Sequence, residues 1–188
     1  GVDATALAAA LRSGRCEEVL HSFQPRPGDC LFIPAGTVHA IGAGLLVAEI
    51  QQSSDVTYRL HDWNRTDAQG RPRALHVESG LEAVHHFEPV EPVRRREGDV
   101  STVCRLVTSR YFQLDEIRAG DGACEWHVGG DDVCHFLAVL EGSAALEDRW
   151  GLDALSPGAC LLLPASAGRQ RIRFDVSADG RLLHVTLP

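Results

Sequence analysis

The chain contains no lysine and no methionine. All eighteen of its basic side chains are arginine, so neither a Schiff base nor a lysine general base can be built from it. It also lacks a basic excess. A net charge of −8 leaves no surplus of cations to meet a phosphate backbone, which excludes nucleic acid as the main partner. No run approaches the roughly 20 apolar residues that span a bilayer. The opening DATALAAALR is apolar but has no basic flank, so it does not read as a signal peptide. No two cysteines form a CxxC pair. The six (Cys16, Cys30, Cys104, Cys124, Cys134, Cys160) sit mostly in apolar strand-like runs and read as buried free thiols of a reducing, cytoplasmic compartment.

What is present is mostly β. Short runs rich in Val, Leu, Ile, Phe and Tyr lie near 29–34, 44–51, 55–61, 73–78, 101–108, 110–118, 133–140, 143–148, 159–163, 169–175 and 181–187. Gly, Pro or Asp turns separate them, as sandwiches and barrels require. Helix is expected only over about 3–13, with Asp3 as N-cap and Gly14 as stop, over a short piece near 15–21, and at 79–85. The charged, proline-containing stretch 88–99 reads as a linker between a front part, 1–87, and a back part, 100–188.

An internal repeat ties the two parts together. PGDCLFIPAG at 27–36 recurs as PGACLLLPAS at 157–166. The second copy is preceded by strand, Glu-Gly turn and strand (135–147), the approach expected in the first half of a barrel. The first copy has only helix and loop before it. The front of the first barrel is therefore expected to be missing, and the absence of an initiator methionine agrees with a chain that starts inside a longer product.

The chemistry concentrates between Pro27 and Arg59. A Pro-Gly-Asp turn feeds an apolar strand that ends at Pro34-Ala35-Gly36, and His39 follows. A second strand carries Glu49, Gln51 and Gln52, and a third carries Arg59. Strand alternation sets Thr57, Arg59 and His61 on one face and Val56, Tyr58 and Leu60 on the other. By spacing alone, His39 reads as a metal ligand or as a satisfied surface or core imidazole. Arg59 reads as a site cation or as part of a solvated face. Glu49 reads as a pocket acid or as half of an ion pair, and Asp62 with Arg65 as an ion pair or as pocket rim. Gly36, Gly42 and Gly44 read as turn glycines.

These motifs carry a resemblance. IPAGTVHAIG (33–42), EIQQSSDVTYR (49–59), HDWNR (61–65) and GRPRALHVE (70–78) together resemble the type I, zinc-dependent cupin mannose-6-phosphate isomerases, in particular their short bacterial branch. The resemblance implies an all-β cupin (RmlC-like jelly roll), with an incomplete first barrel, a degenerate second one and short N-terminal helices. It implies an aldose–ketose isomerase that interconverts D-mannose 6-phosphate and D-fructose 6-phosphate, with a small-molecule sugar phosphate as partner and Zn²⁺ as cofactor. Carried over residue by residue, it makes His39 the metal ligand, Arg59 and Glu49 catalytic, and Gln51, Asp62 and Arg65 substrate-binding. The family's other metal ligands come from a Gln-x-His element and a downstream glutamate, and neither is found here. In the second repeat PASAGRQ replaces PAGTVH, so no metal chemistry is expected there, and His127 and His135 have no evident histidine-and-carboxylate partners. Two rival readings stay open: a cupin metalloenzyme of another class, and a non-catalytic sugar-binding or structural cupin.

Overall fold

A computed structural model of the chain describes residues 2–96, 102–119, 125–147, 154–174 and 180–188. The chain divides into two compact units, Gly1–Pro92 and Val93–Pro188.

The second unit contains all the paired strands among the described residues. β1 (Val103–Thr108), β2 (Gln113–Arg118), β4 (His135–Glu141), β6 (Cys160–Leu163) and β8 (Arg181–Thr186) form one antiparallel sheet in the order β1-β2-β8-β4-β6. β3 (Glu125–Val128), β5 (Ala144–Glu147) and β7 (Gln170–Phe174) form a second sheet in the order β3-β7-β5. The alternation of buried and half-buried residues in HFLAVLE is what a strand with one face on a core requires. Register aligns Ile117, Leu182 and Val139 in one row of the large sheet. It aligns Trp126, Ile172 and Leu146 in a row of the small one. These rows, with Val128, Leu137, Ala144 and Leu163, make the core. Burying each large aliphatic side chain is worth about 1.5–3 kcal/mol, so this cluster dominates the stability of the unit.

β2 departs from simple alternation, because Leu114, Asp115, Glu116 and Ile117 are all buried. The reason lies on its outer face. Arg95 lies over Glu116 with Nε 2.9 Å from Oε2, and its side chain is almost wholly buried. Arg118 and Arg181 reach the other oxygen of Glu116 at 3.1 and 3.3 Å. Arg95 falls within the expected linker 88–99, so that segment is tied to the sheet at this point; residues 97–99 lie outside the described set.

The first unit holds α1 (Ala4–Arg12), a 3₁₀ turn (Cys16–Val19) and α2 (Val77–Ala83). Asp3 caps α1 through Oδ1, which accepts from the Ala6 N–H at 2.8 Å. Leu7 and Ala10 form the buried face of α1.

Four expected strands fail here. Segments 29–34, 44–51, 55–61 and 73–76 run without ladders, and Thr37↔His86 and Thr66↔Pro72 are isolated bridges. An extended segment becomes a strand only when its N–H and C=O groups meet a neighbour. Among the described residues these segments form no ladder, and their meetings are single contacts, such as the His76 N–H on the Arg59 carbonyl at 2.8 Å. Several of their apolar side chains are exposed accordingly, with Leu46 fully exposed and Val47 and Val56 more than half exposed. The 77–78 end of the last expected strand is instead the start of α2.

Elsewhere the differences are smaller. β2 begins at 113 because Ser109 to Phe112 form a turn closed by the Ser109 hydroxyl, which donates to the Phe112 carbonyl at 2.8 Å. β3 was not anticipated, since four residues are too few to establish a period. Residues 101, 148 and 175, at the edges of expected strands, and Cys124 lie outside the described set. The described cysteines are free, but only Cys16 is buried; Cys134 and Cys160 are exposed, contrary to expectation. Both lie on strand edges or flanks, where an apolar run does not guarantee cover.

The repeat is visible in the backbone. The Asp29 N–H donates to the Arg26 carbonyl at 3.0 Å, and the Ala159 N–H to that of Ser156 at 2.9 Å. Gly28 and Gly158 both take positive φ, at 91° and 87°. The corners also match. Thr37 N–H bonds Pro34 O at 3.2 Å, and Ala167 N–H bonds Pro164 O at 2.9 Å. Between these turns the second copy is the paired strand β6, and the first copy forms no strand, with Cys30 alone in a bridge.

Candidate active site

His39 stands just past the Pro34–Thr37 turn and is exposed. Its Nδ1 lies 2.9 Å from the Thr37 carbonyl oxygen. A carbonyl only accepts, so Nδ1 carries the hydrogen and Nε2 presents its lone pair outward. A metal-binding imidazole needs this arrangement, with one nitrogen fixed by a backbone acceptor and the other free. The corner itself is tightly built. Gly36 has φ 82°, and a Cβ there would fall inside the imidazole of His85. The His85 and His86 N–H groups both point to the Gly36 carbonyl, at 3.3 and 3.4 Å. Gly36 thus does more than make a turn. The Thr37 hydroxyl is buried without a partner.

Arg59 is half-buried and anchored on three sides. Its N–H donates to His76 Nδ1 at 3.1 Å, its carbonyl accepts from the His76 N–H at 2.8 Å, and Nη1 donates to the Ala74 carbonyl at 3.2 Å. Tyr58 meets the same His76 ring edge-on at 6.3 Å. Asp62 is buried beside this group. Arg73 holds both of its oxygens, with Nε 2.7 Å from Oδ2 and Nη2 on Oδ1, while Arg65 Nη2 adds a contact at 3.3 Å. The hydrogen bonds from Arg73 hold the Asp62 carboxyl below the usual carboxylate range, helped by the charges of Arg73, Arg65 and Arg59 and opposed by burial. Asp62 therefore serves first as the anion that holds the Arg73 and Arg65 guanidinium groups, with the charge of Arg59 acting on it without a contact. The turn that carries Arg65 is unusual. Trp63 and Asn64 both take positive φ, and the Arg65 N–H closes onto the Asp62 carbonyl at 2.9 Å. Trp63 is held there by the His61 ring, the Arg65 guanidinium and a hydrogen bond from its Nε1 to Glu17.

Glu49 and Gln51 are exposed. Among the described residues, no hydrogen bond or ion pair joins them or His39 to Arg59. In this segment it is the Gln52 amide oxygen that is buried, and it has no partner. The structure thus assembles Arg59, Asp62 and Arg65 and leaves His39, Glu49 and Gln51 apart from them.

His39 by itself fits a zinc ion as one neutral imidazole ligand. Among the described residues no three His, Cys, Asp or Glu side chains converge to complete a shell around an ion.

The second unit contains a polar cluster that the linear sequence concealed. His135 Nδ1 lies 2.9 Å from His184 Nε2, His135 Nε2 lies 2.7 Å from Asp131 Oδ1, and His184 Nδ1 lies 3.5 Å from Asp115 Oδ2. Arg105 pairs with Asp115 from the edge strand, and Trp126 packs edge-on to His184 at 4.9 Å. The expectation that His135 stands without histidine or carboxylate partners is therefore corrected. Adjacent strands β4 and β8 bring together residues remote in sequence. The two rings are joined to each other, which leaves no shared point for a metal between them.

The paired sheets of the second unit, and the turn geometry repeated in the first, are those of a cupin. No protein-family model matches the chain. Its sequence is 45% identical to the mannose-6-phosphate isomerase ManA of Bacillus subtilis over 88% of this chain and 52% of that protein. It is 42% identical to the mannose-6-phosphate isomerase of Streptococcus mutans over 82% of this chain and 48% of that protein. The crystal structure of mannose 6-phosphate isomerase from Bacillus subtilis matches 97% of this chain and 57% of its own length, with a TM-score of 0.80 and 28% identity. Over the part it shares with them, the chain belongs to the mannose-6-phosphate isomerase family. It spans about half the length of the relatives it matches.

Proposed function

We propose that the chain contributes part of the site of an aldose–ketose isomerase acting on D-mannose 6-phosphate and D-fructose 6-phosphate. Similarity along nearly the whole chain to named isomerases carries this reading. In it, residues 1–87 supply one portion of the catalytic barrel and residues 100–188 a supporting barrel. His39 holds zinc through Nε2, with the remaining ligands supplied from outside this chain, and the bound ion would polarise sugar oxygens. Arg59, fixed by His76 and Ala74, directs its remaining donors at charge developing between C1 and C2. Arg65, gathered by Asp62, presents a cation toward the phosphate. Glu49 acts in proton transfer and Gln51 binds sugar hydroxyls, a reading supported by the family resemblance rather than by contacts in this chain. A cytoplasmic location agrees with the free thiols, and no described helix is long and apolar enough to cross a membrane.

The experiment is steady-state kinetics on Arg59 variants of the full-length enzyme. Arg59→Ala should lower kcat by about 10² or more, the scale of losing one oxyanion-type donor. A rise in KM with unchanged kcat would assign Arg59 to ground-state phosphate binding instead. Arg59→Lys should not restore activity fully, because an ammonium lacks the planar fork. Tyr58→Phe should leave turnover nearly intact. An Arg59→Ala enzyme with normal kcat and KM would reduce this residue to a structural tie between its segment and Ala74–His76.

A further inference from the structure

We propose that His85 is a positioning residue for His39, acting through the Gly36 corner. The proposal rests on the reading of His39 as a metal ligand. Three observations carry it. The His85 imidazole lies where a Cβ on Gly36 would be, so ring and glycine are matched in shape. The main chain at 85–86 grips the same residue, through two N–H groups on the Gly36 carbonyl and the parallel bridge Thr37↔His86. The next carbonyl along, that of Thr37, receives the hydrogen of His39 Nδ1. The direction of the Thr37 carbonyl follows from the torsions of the corner, and the His85 ring restrains those torsions from above. The ring is itself restrained, since its Nδ1 lies 2.9 Å from the carbonyl of Ala83, the last residue of α2. The path runs from the end of α2 to the His85 ring, to Gly36, to the Thr37 carbonyl, and to the tautomer of His39.

An exposed histidine without such a partner is free to carry its hydrogen on either nitrogen. The clamp holds His39 in the Nδ1–H form before any metal arrives, and so presents Nε2 as a ready donor.

The test is ¹⁵N NMR of the His39 imidazole in the chain, at a pH well above the ordinary histidine range so that the ring is neutral. Wild type should show His39 predominantly as Nδ1–H. His85→Ala and Gly36→Ala should both shift it toward Nε2–H. His85→Phe, which keeps a flat ring over Gly36, should retain Nδ1–H. The resonances of the first unit away from the corner, such as the Trp63 indole and Leu7 in α1, report whether each variant is folded. In the full-length enzyme, zinc affinity measured by chelator competition should fall about 10–100-fold in His85→Ala, the range for losing a partner that orients a ligand, and should hold in His85→Phe. A wild-type His39 found as Nε2–H overturns the proposal, as does an Nδ1–H form that survives in both His85→Ala and Gly36→Ala. If the tautomer shifts as expected but zinc affinity does not, the positioning of the ring stands and the metal-ligand reading of His39 fails.

Discussion

At the scale of single residues, glycines decide more than their turns. Gly80 sits buried within α2, where an alanine would ordinarily gain up to about 1 kcal/mol of helix propensity. Here the gain is opposed. A Cβ at Gly80 would meet Leu60 Cδ2 at 2.5 Å, and Leu60 Cγ and Tyr58 Cβ at 3.3 Å. The Leu60 methyl can swing away, but Tyr58 Cβ is fixed to its backbone, and overpacking of this kind costs about 1–3 kcal/mol. We expect Gly80→Ala to destabilise the first unit by about 1 kcal/mol net, read by chemical denaturation with a probe in that unit, such as Trp63 fluorescence. A more stable variant would show that the helix term outweighs the contact. The same contact links stability to the proposed site, because Tyr58 precedes Arg59.

At the scale of elements, what matters is which strands lie side by side. β2, β4 and β8 set Asp115, His184 and His135 on the inner face of one sheet, with Arg105 closing the string from β1. Burial pushes the Asp115 carboxyl up, but the His184 imidazole and the Arg105 guanidinium outweigh it, and the net displacement is below the usual carboxylate range. A folded carboxyl that titrates below its unfolded value leaves the unfolded chain binding more protons at acid pH. Its contribution to stability is complete above the unfolded value, about 3.9, and is lost as pH falls through the lower folded one. Thermal melts of wild type and Asp115→Asn across the acid range should therefore differ most near neutrality and converge as pH drops. Parallel curves would mean that Asp115 contributes no proton-linked stability. None of this grouping was legible along the chain, because its members come from strands separated by long connections. HFLAVLE was legible as β4 for the opposite reason: its period of two needs no knowledge of its neighbours. The four residues of β3 offered no such period.

At the scale of the whole molecule, the same distinction separates the two units. The back unit was readable because its strands find partners within the chain. The front segments have the composition of strands, and the Pro34–Gly36 corner and His39 stand where the motif put them. Composition alone could not supply the neighbours that turn an extended segment into a ladder. The family's chemistry was legible for a related reason. PAGTVH and DVTYR are local strings, whereas the pairing of Asp62 with Arg73, and of Arg59 with His76, depends on a fold-back that no local string encodes.

The unpaired stretch from Ile41 to Tyr58 also has a consequence for how the molecule is cut. Proteases bind their substrates as extended strands, and this stretch presents exposed Leu45, Leu46 and Val47 in unpaired backbone. It contains no arginine, and the chain has no lysine, so trypsin finds no cleavable bond within it. Elastase or chymotrypsin, which cut after small or large apolar residues, should nick the chain there first, while β4 and β8 stay whole. Mass spectrometry of a brief digestion would identify the first scissile bonds, and early cleavage inside β4 or β8 would contradict the fold. Two proteases that differ only in the side chain they demand would thus divide the same chain in different places, trypsin sparing the very segment that elastase severs.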